Sequence, residues 1–119
     1  MKNQKEIERL MELSNEELLL EIGKAVQPVK IGIRIPSPDE VRLAATNWIN
    51  EQKALLQKSV CSDSRISDFI GNPSTERRIE IIAVVADIIS THFTGVPAFT
   101  LAVLLTKEGL VNFCGEHGK

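Results

Sequence analysis

Apolar positions along the chain fall mostly at helical spacing, and they are densest in Ile79 to Leu105, IEIIAVVADIISTHFTGVPAFTLAVLL. In the first half of that stretch Ile79, Ile82, Ala83, Ala86 and Ile89 form one stripe, and Ile81, Val84, Val85 and Ile88 form another. A helix apolar all round is either enclosed by other helices or set in lipid, and enclosure is the expectation here. Asn72-Pro73 supplies a cap and a first-position proline, so the pattern predicts a central helix over about 73–93. Gly95 and Pro97 break the run, and a further helix follows over 98–107, with Gly109 as its end signal. Leu110, Val111 and Phe113 make one more short apolar turn.

The N-terminal part repeats the theme with weaker stripes. Ile7, Leu10 and Met11 mark a helix within 2–13, and Leu18, Leu19, Ile22 and Val26 mark one over 15–26. Between them Ser14 stands three residues before Glu17, the spacing of a reciprocal cap; a single continuous helix over 2–26 is the alternative. Gln27-Pro28 ends it in either case. Val29, Ile31, Ile33 and Ile35 then alternate with Lys30, Gly32 and Arg34, a strand period without a second strand to pair with. An extended segment across the helices, or pairing with the same segment of a second molecule, is expected. Ser37-Pro38-Asp39-Glu40 combines a cap, a first-position proline and two acids at the positive end of a helix dipole. The helix behind it has Val41, Ala44, Ala45, Trp48, Ile49, Leu55 and Leu56 on one side and Arg42, Asn47, Asn50, Glu51, Lys53 and Lys58 on the other, ending near Ser59. Residues 60–73 read as a turn-rich connector in which Ile66, Phe69 and Ile70 pin a short helical turn onto the core.

These elements predict an all-α fold, a compact bundle-like or orthogonal array of about five helices around the central one, with one extended segment at 29–35. The chain of 119 residues suits one domain, placed at 1–114 with a flexible tail at 115–119. Composition changes this little: 43% hydrophobic and 25% charged residues are ordinary for a globular chain. Charge is more selective. The net value is -2, and no basic run exceeds Arg77-Arg78, so the positive footprint of nucleic-acid binding is missing. The N-terminal MKNQKEIERL has no apolar core, so no secretory leader is read there and a cytoplasmic location is expected.

Chemistry-bearing residues are few, and the two cysteines, Cys61 and Cys114, are left open as a pair or as free thiols. Cys114-Gly115-Glu116-His117 has a ligand-like spacing, but two ligands do not close a zinc site, and Cys61 and His92 complete one only if both come near. The same residues allow four Cys/His pairings, none with a local signature for nucleophilic catalysis. No catalytic, cofactor or metal site is therefore assigned, and the chain is read as leaning away from enzymes. Ile88 to Thr106 gives nineteen residues without Asp, Glu, Lys or Arg, about the length of a membrane span, yet Gly95-Val96-Pro97 falls near its middle. Asp87 is the one charge between Ile81 and Thr106; it is expected to be buried and paired, with Arg42 or Arg34 as partner. The favoured function is a non-enzymatic protein–protein interaction module or small adaptor, self-association and a homodimer included. Val29, Ile31, Ile33, Ile35, Arg77 and Arg78 are its candidate surface. The alternatives are a small-ligand protein or enzyme with an inter-helix pocket, and a membrane-associated protein using 81–106.

Overall fold

The computed structural model describes residues 4–26, 37–72 and 74–115. Among them the chain is all helical. In chain order the helices are α1 (Gln4–Met11), α2 (Asn15–Val26), α3 (Pro38–Cys61), α4 (Ser64–Gly71), a 3-10 turn (Thr75–Arg77), α5 (Arg78–His92), α6 (Ala98–Glu108) and α7 (Leu110–Gly115). The expected extended segment at 29–35 and the tail beyond Gly115 lie outside the described residues.

Helix starts follow the local signals. The Ser14 hydroxyl accepts from the Glu17 N–H at 3.1 Å while the Glu17 carboxylate accepts from the Ser14 N–H at 3.2 Å, so the reciprocal cap separates α1 from α2. Ser37 accepts from the Glu40 N–H at 3.2 Å, with Pro38 at the first turn of α3. Gly95 and Gly109 both take positive φ, 77° and 110°, at the two breaks read from the sequence. The connector differs from expectation. Asp63 caps α4 by accepting from the Arg65 N–H at 2.9 Å, so most of the turn-rich stretch is an eight-residue helix that buries Ile66 and Phe69. The central helix is also shorter than expected at its start, because the 3-10 turn takes Thr75–Arg77 and α5 begins at Arg78.

The core is the α5–α6 pair wrapped by α1, α2, α3 and α4. Ile82, Val85 and Ile89 of α5 and Leu101, Ala102 and Val103 of α6 are sealed from water, together with Ile7, Leu10, Leu18, Ile22, Leu56, Val60 and Ile66. Each Val, Leu or Ile among them contributes about 1.5–3 kcal/mol by leaving water. Trp48 is half-buried, packed against this core with its ring edge-on to Phe93 at 5.9 Å. Leu55, expected inward, is 47% exposed: neighbours on a helix point about 100° apart, and Leu56 takes the inward place.

Three ties join elements far apart in sequence. Val41 of α3 lies so close to Gly23 of α2 that a Cβ there would stand 2.6 Å from Val41 Cγ1 and nearer still to its carbonyl oxygen. Lys107, near the end of α6, donates to the carbonyls of Met11, the last residue of α1, and of Leu13 just beyond it, which places a cation where the α1 dipole is negative. Cys61 and Cys114 form a disulfide, and Gln57 Nε2 donates to the Phe113 carbonyl at 2.9 Å; together they hold α7 against α3.

Candidate functional site

α3 runs for 24 residues and has two unlike sides. Its inner side carries Val41, Ala45, Leu56 and Val60, all buried. Its outer side, centred on Leu43, carries Thr46, Asn47, Asn50 and Ala54, all exposed, with half-buried Gln57 at one margin. At about 100° per residue these side chains fall in one strip roughly four turns long. No charge interrupts the strip between Leu43 and Gln57. Arg42, Glu51 and Lys53 flank it, and Asp39 and Lys58 close its ends. Leu43 is 58% exposed, the most exposed large apolar side chain among the described residues. Asp39 reaches back to its own helix neighbour Arg42 and still leaves 86% of its side chain in water. A solvated helix face ordinarily carries charge at such positions.

Beside the strip is a cleft of about 220 Å³ between α3, α6 and α7, lined by Ile49, Asn50, Lys53, Leu105, Glu108 and Asn112 among others. Partial loss of hydration there raises the Glu108 carboxyl from its ordinary value. A second groove, of about 380 Å³, lies over α5 and α6 and is lined by Ala83, Ala86, Asp87, Ser90, Ala98 and Phe99. Both open to solvent. Among the described residues no group of three or more His, Cys, Asp or Glu side chains gathers to hold a metal. The disulfide also occupies both thiols, so neither Cys61 nor Cys114 is free to attack or to coordinate. His92 is exposed at the end of α5.

The sequence-derived surface residues do not assemble into one site. Val29, Ile31, Ile33 and Ile35 lie outside the described residues. Arg77 Nη1 binds Asp68 Oδ2 at 3.3 Å and its guanidinium lies 5.9 Å from the centre of the Phe69 ring, so it ties the 3-10 turn to α4. Arg78 is exposed at the start of α5. Asp87 requires a correction, because it is exposed rather than buried. It shares an edge of α5 with exposed Glu80 and Thr91, and this edge faces water, so the helix is not enclosed on all sides. The Thr91 and Ser90 hydroxyls donate to the Asp87 backbone carbonyl, at 2.9 and 3.0 Å, rather than to its carboxylate. Of the two proposed cationic partners, Arg42 pairs with Asp39, and Arg34 lies outside the described residues. The cation that feels its charge is Arg65, whose guanidinium is held further protonated chiefly by Asp63 and, to a lesser degree, by Asp87.

The strip on α3 was missed in the sequence because Asn47 and Asn50 read as ordinary polar positions opposite the apolar stripe. The available signal was the run of uncharged residues between Asp39 and Lys58 at one angular position. Comparison with protein-family models, with curated proteins and with solved structures gives no match. No helix among the described residues is long and apolar enough to cross a membrane.

Proposed function

We propose that this chain is a helical protein–protein interaction module, a small adaptor rather than an enzyme, and that it docks through the outer side of α3. The observation that carries this reading is the exposed, uncharged strip around Leu43, four turns long on the longest helix. Single exposed leucines are ordinary. A continuous strip with neither charge nor apolar cover is of a different kind: it costs less to dehydrate than a charged face, and its asparagines regain hydrogen bonds across an interface. The strip lies on the side of α3 opposite Val41 and Leu56, so a partner can cover it without disturbing the core. The cleft beside it, at about 220 Å³, is smaller than the roughly 300–1,000 Å³ usual for small-molecule sites, whereas the groove over α5 and α6, at about 380 Å³, falls at the low end of that range and is open to solvent. A cytoplasmic location fits poorly with the Cys61–Cys114 bond, because disulfides persist chiefly in oxidising compartments.

A photo-crosslinking residue placed at Leu43 in the producing cells tests the reading. The expected result is a covalent adduct of one defined mass, absent when the probe sits instead at Glu80 of α5 and lost when Asn47→Lys accompanies the Leu43 probe. Equal labelling at both positions overturns it.

A further inference from the structure

Reading outward from the middle of α3, the strip is complementary to itself. Asn47 and Asn50 stand at equal distances on either side of the midpoint between Trp48 and Ile49; Leu43 and Ala54 come next, then Asp39 and Lys58. Each pair of numbers has the same sum, which is the condition for residues to face one another when a helix lies antiparallel on a copy of itself. The geometry points to a second copy of this chain as the partner, bound across a twofold axis that passes beside Trp48 and Ile49, with the two α3 helices antiparallel; this rests on the interaction-module reading above.

In that arrangement Leu43 of one copy meets Ala54 of the other, large against small, which lets two helices approach to the ordinary packing distance of about 8–10 Å. Asn47 meets Asn50 near the axis, where two amides exchange hydrogen bonds, a known device for fixing the register of paired helices. At each end the acidic start of one α3 meets the basic end of the other, so Asp39 faces Lys58 twice per dimer. Opposite charges there favour the antiparallel pairing, whereas a parallel pairing sets like charges together. An unrelated partner imposes no relation between the two halves of the strip. An isologous twofold interface imposes this one, because each patch must complement itself. The side of α3 that meets α2 is not involved: Val41, against Gly23, points about 160° away from Leu43.

Sedimentation velocity of the purified, oxidised full chain up to roughly millimolar concentration tests the pairing. A dimer is expected. Asp39→Lys and Lys58→Asp each alter two facing pairs per dimer and should weaken association roughly tenfold. The double variant should recover to within a few-fold of wild type. Leu43→Arg should give a monomer, and Ala54→Arg, at the facing position, should do the same, so that failure of one variant to fold leaves the other as the test. A wild-type chain that stays monomeric overturns the self-pairing, and it does so whether the chain's own 29–35 segment or an unrelated protein covers the strip. A dimer indifferent to both Leu43→Arg and Ala54→Arg, or single charge reversals that the double variant fails to rescue, also overturns it. In the monomeric case an in-cell adduct at position 43 still stands as support for the interaction module itself, so the two readings fail separately.

Discussion

At single residues the structure separates positions that look alike in the sequence. Gly23 and Gly71 both lie within helices, α2 and α4. A Cβ at Gly71 meets nothing within 4 Å, whereas at Gly23 it meets Val41, including its backbone. Gly71→Ala should therefore stabilise the protein by roughly 0.4–1 kcal/mol, since it only restricts the unfolded chain. Gly23→Ala should destabilise it by roughly 1–2 kcal/mol, because forcing α2 from α3 outweighs the gain in helix propensity. Urea denaturation of the two variants distinguishes them, and equal effects would contradict the close crossing. Asp63 supports a prediction in pH. Its carboxylate accepts from Arg65 Nε and Nη2 at 3.0 and 2.9 Å and from the Arg65 backbone N–H, and the Arg65 guanidinium is the main reason its pKa is lowered. A lowered folded-state pKa means the contribution is present above the unfolded value, near pH 4, and is lost as pH falls through the folded value. Asp63→Asn, which keeps an oxygen for the cap, should flatten that acid limb, while Asp63→Ala should cost about 1 kcal/mol at neutral pH as well. Stability curves from acid to neutral pH read both effects.

At the scale of elements, α7 shows what the pairing of cysteines does. It is six residues long and is held to α3 by Cys61–Cys114 and by the Gln57 hydrogen bond to the Phe113 carbonyl. Helices this short have no independent stability in water. The disulfide spans 53 residues of sequence, and closing a loop of that length stabilises the fold by roughly 4 kcal/mol in the chain-entropy view. Reduction, or Cys114→Ser, should lower stability by up to that amount and raise amide exchange in 110–115 more than in α5 or α6; unchanged exchange in α7 would show that packing of Leu110 and the Gln57 hydrogen bond retain it without the disulfide. The bond illustrates what is legible in a sequence and what is not. The starts of α2 and α3 were readable because their caps are made by residues three apart, Ser14 with Glu17 and Ser37 with Glu40. The breaks at Gly95 and Gly109 were readable because each needs a positive φ. By contrast α4 was readable only as a short helical turn, since Asp63 serves equally as a turn former and as a cap. Whether Cys61 and Cys114 pair was left open by the sequence, because it depends on where α7 returns in space. Asp87 misled because its neighbours in sequence are aliphatic, whereas its neighbours on the α5 surface, Glu80 and Thr91, face water.

For the whole molecule, the arrangement leaves association and folding separable. The core lies between α5 and α6, and the α3 strip lies on the far side of α3 from it. Leu43, 58% exposed, adds little to the stability of a single chain. Anything that binds only the folded state raises stability by mass action, and when the ligand is a second copy, the protein's own concentration sets the effect. Wild-type Tm should therefore climb as concentration passes through the association range, by roughly 3–8 °C for a hundredfold increase in a chain of this size. Leu43→Arg should give a flat line that meets the wild-type value at low concentration. The meeting point is the discriminating feature. If Leu43→Arg lowers Tm even in dilute solution, Leu43 belongs to the packing of one chain and the strip is not a free surface. If wild type and variant are both independent of concentration, folding is complete in the monomer and the pairing of two α3 helices is overturned.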